Sequence, residues 1–112
     1  MSSLSTHVLD TATGLPAAGV HVVLERLDLS GPTALADERT DADGRVRALL
    51  PVGGLQAATY RLRFDTGEYF RRAGGEPFFP EVSIVFSVAD AARHHHVPLL
   101  LSPYGYSTYR GS

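Results

Sequence analysis

The chain has 112 residues and a mass of 12.0 kDa, the size of one domain with enough core to need no disulfide or metal for stability. It contains no cysteine, which excludes a disulfide framework and thiolate metal ligands. The net charge of -2 gives no electrostatic reason to expect a nucleic acid or an anionic membrane as partner. The N-terminal residues lack the basic and apolar regions of a secretory signal, and no apolar run approaches the roughly twenty residues of a membrane span. We therefore expect a cytoplasmic protein with one domain over residues 1–112.

Alternation of apolar and polar side chains between glycine and proline breaks predicts eight short strands. In chain order they cover residues 4–10, 20–27, 33–40, 45–49, 58–64, 81–88, 96–101 and 104–109. One short helix is predicted after the fifth strand, because Asp65 and Thr66 can cap its start and Gly74 follows its last turn. Many short strands at regular spacing with a single helix are typical of an all-β sandwich.

Three local signals refine this prediction. The stretch 13–16 predicts a turn after the first strand, and Asp43-Gly44 predicts a two-residue hairpin into 45–49. Pro98 cannot donate a ladder hydrogen bond, which favours an edge position or a bulge for its strand.

The C-terminal stretch HHHVPLLLSPYGYSTYRGS carries most of the candidate chemistry. Strand periodicity puts His94, His96 and Pro98 on one face and His95 on the other. Neither face is suited to water, so we expect a second copy of the protein to cover one of them. His96 would then lie at a subunit interface.

Four stretches resemble the transthyretin family, and specifically its enzymatic branch, the 5-hydroxyisourate hydrolases. They are LSTHVLDTATGLPAAGV near the N-terminus, TDADGR in the centre, PFFPEVSIVF, and the C-terminal stretch ending in YRGS. The resemblance implies a transthyretin-like sandwich of two four-stranded sheets and one short helix. It also implies a homotetramer, a dimer of dimers, whose channel holds the active sites, and hydrolysis of 5-hydroxyisourate in urate and purine degradation.

The resemblance also implies site residues. The catalytic positions of the family fall on His7, Arg45 and His96, and substrate-lining positions fall on His7, Arg45, Tyr109 and Ser112. Neither a metal nor another cofactor is implied. His95 departs from the family pattern, which usually has an aromatic residue there, and its parity predicts a role in packing.

The residue types fit this chemistry. Imidazole can accept a proton from water near neutral pH, which suits His7 and His96, although either could be the base. A guanidinium stays cationic and can bind a planar, urea-like substrate through two donors, which suits Arg45 as substrate anchor and oxyanion partner.

Other interpretations of the same residues remain open. Taken alone, His7 is more often a packing residue, and Arg45 is more often a solvated hairpin residue. His94 and His96 share a face and could bind zinc, but the sequence marks no third ligand. A carrier that binds a small aromatic ligand in the tetramer channel is the main functional alternative, and a sandwich-type interaction module is a third.

Overall fold

The computed structural model describes residues 4–111; residues 1–3 and 112 lie outside it. Within that range the chain forms nine strands and one helix. They are β1 (Leu4–Asp10), β2 (Leu15–Pro16), β3 (His21–Asp28), β4 (Gly31–Arg39), β5 (Arg45–Val46), β6 (Ala58–Phe64), α1 (Thr66–Arg72), β7 (Val82–Val88), β8 (His95–Ser102) and β9 (Gly105–Thr108).

The strands form two sheets packed over one core. The first sheet has the order β2-β1-β8-β9, with β5 also paired to β1, and the second has the order β4-β3-β6-β7. The predicted sandwich with one short helix is therefore confirmed. The expectation of four strands per sheet is right for the second sheet and wrong for the first, because β2 and β5 pair with different residues of β1.

Alternate residues of the strands supply the core. The fully buried apolar side chains include Leu4, Val8, Leu99 and Leu101 of the first sheet and Val22, Leu24, Leu62 and Phe64 of the second. Each such side chain contributes about 1.5–3 kcal/mol through burial. Because one face of each strand is committed to this core, the intervening residues of β1 and β8 project from the outer face of the first sheet.

The helix begins where the sequence predicts it. The Asp65 carboxylate accepts a hydrogen bond from the backbone N–H of Glu68 at 3.0 Å, which caps the first turn. The hydroxyl of Tyr69 donates to Asp10 Oδ2 at 2.7 Å and so ties α1 to the end of β1. Burial and this hydrogen bond raise the pKa of Tyr69 to about 12. In the described part of the chain, no helix is long and apolar enough to span a membrane.

The segment after Asp43-Gly44 differs from the predicted hairpin. The chain does reverse there, but β5 covers only Arg45–Val46 and pairs with β1 of the first sheet. The preceding strand, β4, belongs to the second sheet. A turn signal specifies the local reversal and leaves the pairing partner to tertiary packing. The predicted turn over 13–16 is also partly wrong, since β2 begins within it at Leu15.

Pro98 lies on an interior strand, so the expected edge position is wrong. β8 pairs with β1 on one side and β9 on the other. The β8–β9 ladder pairs Leu99 with Thr108, and an isolated bridge pairs His96 with Gly111 in the same register. The ladder is interrupted at Pro98, between these two pairs. A missing N–H is tolerated here because the neighbouring chain leaves the ladder at this point.

Candidate active site

Three strands bring the predicted catalytic residues to the outer face of the first sheet. His7 on β1 lies opposite Arg45 on β5. β1 also runs parallel to β8, with Ser5 opposite His96 and His7 opposite Pro98. Paired residues of neighbouring strands project from the same face. His7, Arg45 and His96 therefore share one surface, as strand periodicity allowed.

The turn before β5 fixes the position of Arg45. The Asp41 carboxylate accepts the backbone N–H of Arg45 at 3.0 Å. Gly44 has φ +74°, and a Cβ there would lie 2.4 Å from the carbonyl oxygen of Val8. The carbonyl of Gly44 in turn accepts the Val8 N–H at 2.7 Å. Only glycine permits both this φ angle and the close approach to the Val8 carbonyl, so Gly44 fixes the position of Arg45 beside His7.

His96 is held both at its imidazole ring and at its backbone. Its Nδ1 lies 2.8 Å from Ser5 Oγ, and the same oxygen lies 3.0 Å from His94 Nε2. On the other side, the Gly111 N–H donates to the carbonyl of His96 at 2.8 Å. A Cβ at Gly111 would lie 2.6 Å from His96 Cδ2, so the chain end packs directly against the ring.

A cavity of about 240 Å³ opens beside this histidine. It lies between the edge strand β7 and the start of β8, and its wall includes His96, Tyr109 and Arg110. Tyr109 is 58% exposed. The cavity is slightly smaller than the roughly 300–1,000 Å³ usual for small-molecule sites. The predicted pocket residue Ser112 lies outside the described residues.

The environment keeps both histidines neutral. Burial, followed by the positive charge of Arg45, lowers the pKa of His7 below its ordinary value, although a hydrogen bond to the Asp43 carbonyl opposes the shift. Burial lowers the pKa of His96 in the same way, with further contributions from Arg45, His7 and His94. A neutral imidazole has a free lone pair, so either ring can accept a proton from water near pH 7.

The arrangement therefore combines two proton acceptors and a fixed cation on a partly apolar wall. Pro98 is buried and Leu100 half-buried on this same face. A planar polar molecule on this surface could contact the Arg45 guanidinium with two acceptors, while an imidazole activates a water at its edge. These are the requirements for hydrolysis at a carbonyl carbon.

The residues described here contain no group of three or more His, Cys, Asp or Glu placed to hold a metal ion. The two members of the possible zinc pair, His94 and His96, both contact the Ser5 hydroxyl. His95 faces the other way: it is 6% exposed, and its Nδ1–H donates to the carbonyl of Arg93 at 2.8 Å. The structure thus gives His95 a packing environment, as its parity predicted.

Two contributors to this surface were not identified from the sequence. Ser5 lies two positions before His7 on β1 and therefore on the same face. Alternation along the strand could have identified it as part of this surface. Its contact with His96 spans 91 positions and depends on the β1–β8 pairing, which no local pattern encodes. For Gly111, the sequence carries no signal of its packing against an imidazole ring.

Comparison with known proteins supports the resemblance. Residues 4–111 match the model of the HIUase/Transthyretin family, and the chain belongs to this family. It is 51% identical over 120 residues to the 5-hydroxyisourate hydrolase of Caulobacter vibrioides, with 100% of each chain covered. The resemblance predicted from the four stretches is therefore confirmed.

Solved structures give the same result. The 5-hydroxyisourate hydrolase of Klebsiella pneumoniae has a TM-score of 0.87 and 45% identity, with 100% of both chains covered. Sea bream transthyretin in complex with thyroxine has a TM-score of 0.91 and 32% identity, covering 97% of this chain and 94% of that one. The same fold therefore serves a hydrolase and a thyroxine-binding protein.

Proposed function

We propose that this protein hydrolyses 5-hydroxyisourate to 2-oxo-4-hydroxy-4-carboxy-5-ureidoimidazoline. Its similarity over full length to relatives named as that hydrolase supports the substrate. The single observation that carries the chemistry is the grouping of His7, Arg45 and His96 on one outer face. Both imidazoles there have lowered pKa values.

The proposed reaction is the attack of water on a ring carbonyl carbon. One imidazole takes a proton from the water as the new C–O bond forms, and Arg45 stabilises the negative charge that grows on the carbonyl oxygen. The ring C–N bond then breaks, and the proton passes to the departing nitrogen. No cofactor takes part in this scheme. The substrate would be supplied by a urate-oxidising enzyme. The product is a carboxylate, which a decarboxylase would consume.

The proposal includes a homotetramer built as a dimer of dimers. One protomer offers only a small open cavity beside His96, and its wall does not include His7 or Arg45. Exposed aromatic side chains, including Tyr104, Tyr106 and Tyr109, lie on or beside the edge strand β9. A partner covering this edge would exclude water from the cavity and strengthen its electrostatics. Light scattering on the purified protein measures the assembly directly. The cytoplasmic location stays a prediction.

A carrier function is the second candidate. It is favoured by the likeness to sea bream transthyretin in complex with thyroxine. A carrier needs the cavity and has no use for two neutral imidazoles beside a guanidinium, so the hydrolase is the better supported of the two.

The experiment follows the near-ultraviolet absorbance of 5-hydroxyisourate freshly made from urate and urate oxidase. We expect substoichiometric protein to accelerate its decay. His21→Ala is a matched control, because His21 lies on the other sheet and pairs with Asp37. No acceleration by a folded tetramer would refute the hydrolase and favour the carrier.

A further inference from the structure

The hydroxyl of Ser5 lies between two imidazole rings on the outer face of the first sheet. Its Oγ is 2.8 Å from His96 Nδ1 and 3.0 Å from His94 Nε2. Ser5 is 9% exposed, so water competes little for either contact. β1 holds it there by direct pairing of Ser5 with His96.

Counting protons limits how these three groups can be arranged. A hydroxyl has one proton and can donate to only one of the two nitrogens, so the other nitrogen must donate to the oxygen. Either His96 Nδ1–H donates to Ser5 Oγ and the hydroxyl donates to His94 Nε2, or His94 Nε2–H donates to Ser5 Oγ and the hydroxyl donates to His96 Nδ1. Only the first arrangement leaves His96 Nε2 able to accept a proton, which is the part that the proposed hydrolysis gives to this ring.

We propose that Ser5 is a positioning residue that holds neutral His96 as its Nδ1–H tautomer and leaves Nε2 unprotonated to receive a proton from the attacking water. In this arrangement His96 Nδ1–H donates to Ser5 Oγ, and the Ser5 hydroxyl donates to His94 Nε2. The inference rests on the proposed hydrolase function and assigns the proton-accepting atom within it. It gives His94 a specific part as the acceptor that orients the hydroxyl.

In the alternative arrangement, His96 Nε2 could not accept a proton. If the Ser5 hydroxyl donated to His96 Nδ1, the ring proton would lie on Nε2 and the histidine could not act as a base. The charged and titratable groups around the ring are Arg45 on β5, His7 on β1, His94, and Tyr109 and Arg110 after β9. The contact that the structure records for Nδ1 is with Ser5 Oγ, and the same oxygen contacts His94 Nε2, so the tautomer depends on these two residues.

Substitutions separate the hydroxyl from the rest of the side chain. We expect Ser5→Ala to lower kcat about tenfold with KM nearly unchanged, the factor that corresponds to one ordinary hydrogen bond. Ser5→Thr keeps the hydroxyl and should recover most of the rate. Ser83→Ala is the control, since it removes an exposed hydroxyl on β7 that donates to Glu81. Equal rates for Ser5→Ala and Ser5→Thr would refute a role for the hydroxyl.

The tautomer itself can be observed without substrate. Nitrogen-15 NMR of the histidine rings, recorded above the pKa of His96, should show protonated Nδ1 and unprotonated Nε2 in the wild-type protein. His94→Ala removes the acceptor of the Ser5 hydroxyl, which can then turn to Nδ1, and should increase the Nε2–H form. A wild-type ring protonated at Nε2 would overturn the proposal even if the enzyme is active. Conversely, the predicted tautomer in a protein that does not hydrolyse 5-hydroxyisourate would refute only the function.

Discussion

Replacing Gly111 with alanine tests whether the chain end controls the geometry of His96. The added Cβ would lie 2.6 Å from His96 Cδ2 and 3.2 Å from its Cγ. Carbon atoms in contact normally lie about 3.5–4.0 Å apart. Either the ring or the chain end must therefore move by about 1 Å.

Both movements damage the site. A displaced ring loses its 2.8 Å contact with Ser5, and a displaced chain end loses its 2.8 Å hydrogen bond to the His96 carbonyl. A shift of about 1 Å in a catalytic group can cost about a hundredfold in rate. The cost in stability should be only about 1 kcal/mol, because one backbone hydrogen bond at the chain end is affected. We therefore expect kcat/KM to fall between about tenfold and a hundredfold, with the protein still folded.

The assay is the decay of 5-hydroxyisourate absorbance, together with urea denaturation of each variant. Gly105→Ala, at the start of β9, is a matched control in the same C-terminal stretch, because a Cβ there meets only Ser102 Oγ at an ordinary 3.7 Å. It should keep wild-type activity. Wild-type kcat/KM in Gly111→Ala would refute the reasoning, since it would mean that the ring tolerates the methyl group. An equal loss in both variants would point instead to a general effect on the strand.

Three further predictions concern the site and its support. His96→Ala and Arg45→Glu should each lower turnover by at least about a hundredfold, which is the scale for losing a general base or an oxyanion partner. A near-normal rate in either variant would remove that residue from the mechanism. Because the pKa values of His7 and His96 are lowered, the decline of kcat/KM on acidification should be centred below pH 6.5, the ordinary histidine value, as the neutral base becomes protonated. A decline centred above pH 6.5 would contradict this. Tyr69→Phe should reduce the free energy of unfolding by about 1–3 kcal/mol in urea titrations, because the buried Asp10 carboxylate loses a hydrogen bond. The folded variant should keep its activity. An unchanged urea midpoint would contradict the role of this contact.

The sequence predicted those features that depend on local periodicity. Alternation along 96–101 separated the core-facing side chains, such as Leu99, from the outward-facing His96, and the structure has the same division. The helix start at Asp65 was predicted for the same reason, since capping involves residues only three positions apart. Local chemistry is sufficient for such features.

Features that depend on distant pairing could not be predicted in this way. Asp43-Gly44 marks a reversal in any context, but its approach to the Val8 carbonyl decides that β5 joins β1. The parallel pairing of β1 with β8 likewise puts Ser5 against His96 without any matching pattern in the two stretches. The positions of His7 and Arg45 relative to each other were therefore expected from the family resemblance alone.

The parallel pairing of β1 with β8 also governs when the protein can become active during its synthesis. β1 leaves the ribosome long before its partner β8, since the paired residues Ser5 and His96 are 91 positions apart. Until then β1 lacks one neighbour, and Ser5 and His7 have no His96 beside them. Contacts between such distant segments form slowly, because closing a long loop costs entropy before the contacts stabilise it. A nascent or C-terminally shortened chain would therefore expose an unpaired edge of β1, and chaperone binding during translation would protect it.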